Sequence, residues 1–173
     1  HPFKIADSLY ALKRNDKWGH LQNHRFFNWL FLRFMTRKDD DGLYHFRYFE
    51  RKYFKPKSKN HFDGQVYIVS GGNTFSASTL FIKAVKNQAN VTVVGEETGG
   101  AAYGNNAWLL PDVTLPHTKV RFRLPLFRLV TDKNEEKGFG VQPEVFAGPT
   151  IKAILGNKDY KMEEVIRLIR GGN

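Results

Sequence analysis

No cysteine occurs anywhere in the chain. That excludes disulfides, thiolate nucleophiles and cysteine-based metal sites, and leaves the compartment open. No apolar run approaches the roughly 20 residues that cross a bilayer. No secretory leader stands at the start, but the chain opens on His1 and not on Met. That is expected of a processed or excised form, so the missing leader decides nothing. Internal repeats and low-complexity linkers are also missing. Acidic residues are few beside basic ones, 17 against 27, for a net charge of +10. Such a balance suggests acidic partners, nucleic acid first among them. The basic residues, however, cluster mainly in Arg47–Lys59 and are otherwise scattered, with no nucleic-acid-binding motif among them. A solvated basic face is the simpler reading, and no nucleic-acid partner is expected. An acidic region outside this sequence could also balance the excess. What remains, 41% apolar and 25% charged over 173 residues, is enough for one globular domain with a core.

The most informative stretch is Gly64–Leu80, GQVYIVSGGNTFSASTL. Val66–Val69 reads as a buried strand. Ser70, Gly71, Gly72 and Asn73 break it. From Ser76 onward Ala77, Leu80, Phe81, Ala84 and Val85 recur at helical spacing. A strand, a Gly-rich turn and a helix in that order expose a serine oxygen at the end of a sheet and aim free backbone N–H groups at it. An acyl-transfer nucleophile needs that geometry. The plainer alternative is that Ser76 simply caps the helix.

Around this stretch, residues 3–14 predict a helix with Ile5, Leu9 and Leu12 on one face. Residues 19–36 predict a second, whose stripe of Leu21, Phe26, Trp29, Leu30, Phe34 and Met35 is expected in the core. Asp39–Asp41 lacks the spacing and terminal Glu of a calcium loop and reads as solvated. Leu43–Phe54 alternates aromatic and charged residues, which suits a strand or strand pair. After the helix at about 76–88, Val91–Gly95 is a second buried strand, implying a parallel pair. The loop Glu96–Asn106 follows it. Both Gly-rich loops thus leave the C-terminal ends of neighbouring parallel strands, where open α/β sheets bind ligands. Gly71 and Gly72 in the first, with Thr98, Gly99 and Gly100 in the second, are the candidate substrate contacts. Trp108–Leu110, Lys119–Leu124 and Leu126–Val130 predict a small β excursion packed on the sheet. Pro149–Leu155 and Met162–Arg170 predict closing helices. No His-x-x-His-type spacing shares a face with carboxylates, so no metal is expected, and no cofactor is implied.

Four pieces in order, FDGQVYIVSGG, NTFSASTL, VGEETGGAAYG and GFGVQPEV, resemble the S41 serine peptidases, which include tail-specific (C-terminal processing) and tricorn-type proteases. The resemblance runs from Phe62 to about Val145. The first sixty residues resemble the variable lead-in of secreted Bacteroidetes-type members. The resemblance implies an α/β, crotonase-like or ClpP-like core, here as the C-terminal part of one catalytic domain: a lead-in over 1–60 and a nucleophile-bearing core over 61–173. It implies a protein or peptide substrate, and export to the periplasm or cell exterior. Ser76 matches the nucleophile and the Ala77 backbone N–H one oxyanion donor, while Ser78 matches a second small hydroxyl of the motif.

The departures shape the expectation. Tail-specific proteases place a lysine just after the TxG turn, where this chain has Ala101. Lys83 is no substitute, lying about 10 Å along the same helix. The tricorn-type branch uses a His, a Ser and a Glu. Glu136 is the nearest match for that Glu, although Lys137 occupies the best-matched column. Of the histidines, His61 is excluded as the base, because seven or so extended residues place it roughly 20 Å from Ser76. His20 and His24 read as surface residues, and His45 and His117 stay open. The base and the second oxyanion donor are therefore expected in an upstream part or a second copy that completes the sheet. The isolated chain is expected to be inactive. The alternative is a non-catalytic peptide-binding relative.

Overall fold

The computed structural model describes residues 3–11, 24–55, 57, 59 and 62–171. Its strands are β1 (Phe3–Lys4), β2 (Ser8–Ala11), β3 (Arg37–Lys38), β4 (Tyr44–His45), β5 (Tyr53–Phe54), β6 (Val66–Ser70), β7 (Val91–Gly95), β8 (Gly104–Asn105), β9 (Asp112–Thr114), β10 (Arg121–Arg123), β11 (Phe127–Val130) and β12 (Val145–Phe146). The helices are α1 (Arg25–Met35), α2 (Arg47–Arg51), α3 (Ala77–Val85), α4 (Ile151–Leu155) and α5 (Tyr160–Gly171). They sort into two compact units. One gathers residues 55–102 and 136–171, the other residues 4–54 and 103–135.

The first unit is built on a three-stranded parallel sheet in the order β12-β7-β6. Val66 pairs with Val91 and the register runs to Ser70 opposite Gly95, so both strands end at the same level. Their β-branched runs form strands because both faces are partly covered. α3 returns over the sheet, and Ile82 joins Val93, Ala102 and Val141 in a buried cluster against which Ile68 packs. α5 packs on β6 and β7. The expected parallel strand–helix–strand unit is thus present, mixed with helices as an α/β class requires.

The second unit centres on a five-stranded sheet, β3-β4-β2-β11-β8. Here several expectations are corrected. Residues 8–11, expected within a helix, are a strand paired antiparallel with Phe127–Val130. Ser8, Leu9 and Ala11 are all buried, and covering both faces erases the period-2 pattern that distinguishes a strand from a helix. The last residues of that predicted helix, 12–14, and the first of the next, 19–23, lie outside the described residues. Leu43–Phe54 contains a short helix between two brief strands, where a strand or strand pair was expected. Trp108–Leu110 is not a strand. The last strand of the β excursion, β11, pairs with β2 and β8 within this unit. α1 also departs from expectation, since only Leu32 of its residues is buried. The aromatic core lies instead around Phe46, whose ring meets Phe31, Phe49 and Phe127.

The carboxylates of Asp39–Asp41 are not simply solvated. Asp39 pairs with Arg47, and Asp41 accepts from His45 Nε2 at 2.9 Å. His45 Nδ1 meets Glu50 Oε1 at 2.6 Å, and the same oxygen accepts the Leu9 N–H at 2.8 Å. Burial opposes the charged ring of His45, but the hydrogen bonds to Glu50 and then Asp41 outweigh it and raise its pKa. A raised folded value stabilises the fold fully below the ordinary 6.5, and that contribution is lost as pH rises through the folded value. Thermal melts on a series of buffers climbing from below 6.5 are expected to fall for the wild-type chain and stay flat for His45→Gln. Parallel curves for the two would remove His45 as the cause.

Candidate active site

Local sequence dictates the shape of the turn that carries Ser76. β6 ends at Ser70, whose Oγ donates to the Glu96 carbonyl at 2.8 Å. Gly71 and Thr74 close a tight turn, with Thr74 N–H on the Gly71 carbonyl at 2.8 Å and Gly71 N–H on Thr74 Oγ1 at 3.2 Å. Ser76 follows with φ 51° and ψ −117°, immediately before α3. A β-carbon-bearing residue is strained at such angles, by about 1–3 kcal/mol, and such strain collects at functional sites. The capping alternative is not what is found. Ser76 makes no side-chain cap bond to the helix, and it is exposed. Among the described residues nothing hydrogen-bonds its Oγ, and the Ala77 N–H, exposed beside it, has no acceptor. Ser78 lies in the regular first turn of α3, its N–H on the Phe75 carbonyl at 3.1 Å.

The second glycine loop is locked against this turn. Gly100 N–H donates to the Thr74 carbonyl at 2.9 Å, and Thr79 Oγ1 donates to the same oxygen at 3.0 Å. A methyl group at Gly99 would strike the Gly72 carbonyl and the Phe75 ring. The GFG turn locks on from the other side. Gly140 N–H donates to Glu97 Oε1, Val141 N–H to Thr98 Oγ1, and Thr98 N–H to the Val141 carbonyl. A methyl at Gly140 would strike the Thr98 carbonyl. The Gly140 N–H, then Gln142, hold the Glu97 carboxyl below the usual carboxylate range. From α5, Lys161 Nζ sits 2.6 Å from Glu96 and Tyr160 Oη 3.2 Å from it. Lys161 first, then Tyr160, lower the Glu96 pKa, although partial burial opposes them. The Lys161 ammonium also covers Gly71.

All four motif pieces therefore meet at the ends of β6 and β7. The candidate contacts divide in two. Gly72 and Gly99 are exposed next to Ser76, whereas Gly71 and Thr98 are buried. Thr98 Oγ1 donates to the Gly100 carbonyl and accepts from Val141, so its hydroxyl is engaged as a clamp within the loop. Gly100 acts through its N–H to Thr74. A groove of about 440 Å³ runs beside Ala77 and Ser78, walled by Ile68, Val69, Phe81 and Ile82. Glu136 is exposed and makes no hydrogen bond or ion pair among the described residues, so nothing joins it to Ser76. Neither ring nitrogen of His45 is free to take a proton from Ser76, since carboxylates hold both. His24 and His117 are exposed in the second unit, and His20 and His61 lie outside the described residues. Lys83 Nζ donates to the Ala102 carbonyl at 3.2 Å. The Glu96–Lys161–Tyr160 cluster and the Glu97–Gly140 tie went unread in the sequence, because nothing in the spacing signals a contact across more than forty residues.

A strained serine between a parallel strand and a helix, with a free amide beside it, is similar in arrangement to the nucleophile turns of hydrolases. The model of peptidase family S41 matches residues 29–146, more than half of the chain, and the chain belongs to that family. A solved structure of a candidate peptidase from Parabacteroides merdae resembles it with a TM-score of 0.51 and 21% identity, over 68% of this chain and 35% of that one. At that identity the likeness bears on fold alone, and this chain spans about a third of the neighbour's length. No curated protein sequence matches.

Two substitutions separate packing from strain. Gly99→Ala is expected to cost about 1–3 kcal/mol in urea unfolding, because the obstructing atoms include a carbonyl fixed by its own turn. Ser76→Gly is expected to raise stability by about 1 kcal/mol, since relief of backbone strain exceeds the added flexibility of the unfolded chain.

Proposed function

We propose that this chain carries the nucleophile of an S41 serine endopeptidase on a crotonase-like core. The exposed, strained Ser76 beside an unoccupied Ala77 amide is the observation that carries the reading. In the proposed step Ser76 Oγ attacks the scissile carbonyl carbon as its proton passes to a base. The Ala77 N–H supports the oxyanion, the C–N bond breaks, and the amine leaves with the proton. Water then hydrolyses the acyl-enzyme. No group among the described residues is poised as that base, which supports a base supplied by another segment or subunit, and Glu136 stays the proposed supporting acid. β6 is the edge of its sheet, with Val69 41% exposed. An added strand from an upstream segment or a second copy would pair there. Protein or peptide substrates, no cofactor, and a periplasmic or extracellular site of action complete the proposal.

The second reading, a non-catalytic peptide binder, is favoured by one observation: Ala101 stands where the lysine of the tail-specific members falls. A fluorophosphonate probe separates the two. The isolated chain is expected to label no more than Ser76→Ala, whereas a longer form of the protein labels at Ser76. Labelling of the longer form that survives Ser76→Ala, or no labelling at all, supports the binder.

A further inference from the structure

α1 turns its apolar residues outward. Phe26, Phe27 and Phe34 are 64%, 67% and 73% exposed, and Trp29, Phe31 and Met35 are exposed too. At about 100° per residue, Phe26, Leu30, Phe34, Phe27, Phe31 and Met35 fill one continuous half of the helix circumference, and Leu32 holds the opposite side to the fold. An apolar strip of this size on a folded surface marks an interaction site.

The charges around it say what kind. Residues 24–38 hold Arg25, Arg33, Arg37 and Lys38, and no Asp or Glu. All four are exposed, and none is in an ion pair among the described residues. Acidic residues resume at Asp39–Asp41, past the end of α1, where Asp39 is taken by Arg47 and Asp41 by His45 and Asp40 is exposed. Trp29 lies at the margin of the strip, its ring 6.2 Å from that of Phe26. A convex helix face of large rings with a purely basic margin suits an interface that is apolar inside and anionic at its rim. The boundary between acyl chains and acidic headgroups offers both together. A protein partner would need a groove deep enough for a half-cylinder of phenyl rings, with an acidic border.

The geometry points to α1 as a monotopic docking face for an anionic lipid surface, with Phe26, Phe27 and Phe34 entering the interface and Arg33, Arg37 and Lys38 at headgroup level. The inference is independent of the chemistry at Ser76. It places the chain on a membrane without any helix long and apolar enough to cross one among the described residues.

Vesicle co-sedimentation tests it. The chain is expected to bind phosphatidylcholine vesicles that contain phosphatidylglycerol, with a blue shift of tryptophan emission, and not phosphatidylcholine alone. Phe27→Ser/Phe34→Ser keeps the charge and is expected to weaken binding about tenfold or more. Phe62→Ser/Phe146→Ser removes two rings of similar exposure from the other unit and is expected to bind as the wild type does. Circular dichroism confirms that each variant folds. Equal binding by Phe27→Ser/Phe34→Ser would reduce the effect to general basic adhesion and overturn the inference. A dimer that this variant breaks, with no vesicle binding, would overturn it in favour of a second copy.

Discussion

Backbone crowding between two glycine loops is the constraint on which the site depends. β6 and β7 end in register, which delivers both loops to one place. There the Thr74 carbonyl takes two donors, one from Gly100 across the gap and one from Thr79 in α3. That carbonyl fixes the chain two residues before Ser76. The Gly99–Gly72 approach leaves no room for a side chain, and Thr98 and Glu97 fasten the second loop to Gly140 and Val141. With both flanks held, the Ser76 backbone has little freedom to relax out of its positive φ. Strain persists where surrounding contacts over-determine it, and here the contacts are mostly main chain. They would therefore tolerate much side-chain variation while tolerating little change at the glycines.

The first unit was largely legible in the sequence, and the reason is physical. Val66–Val69 and Val91–Gly95 are short β-branched runs bounded by glycine, a pattern that few other structures satisfy. The glycines themselves announced close approach, although not to which partner. What stayed hidden was the direction of individual side chains. Thr98 sits in a glycine-rich loop in sequence, yet its hydroxyl turns inward to close the loop. Glu136 stands beside the best-matched motif column, which Lys137 occupies, and makes no hydrogen bond or ion pair among the described residues.

The second unit was harder to read because its pieces are short and their partners remote. Ser8–Ala11 becomes a strand by pairing with β4 on one side and with residues more than a hundred positions later on the other, and its two buried faces carry no alternation. The stripe on α1 reads as core in the sequence because aromatic residues at helical spacing ordinarily are. Periodicity reports that a helix has an apolar face, and it does not report which way that face turns. His45 shows the same limit: Asp41 and Glu50 bracket it in sequence, but only the turn and α2 bring both carboxylates to its ring.

The central claim, that crowded main chain holds Ser76 in a left-handed conformation with its hydroxyl free, is read most directly from an atomic-resolution crystal structure of this chain. The account predicts a positive φ at Ser76, no bond from its Oγ to the first turn of α3, and the Gly100 amide on the Thr74 carbonyl. A negative φ with the Ser76 hydroxyl capping α3 would contradict it, because the residue would then be an ordinary helix cap and the glycine loops would hold nothing in place.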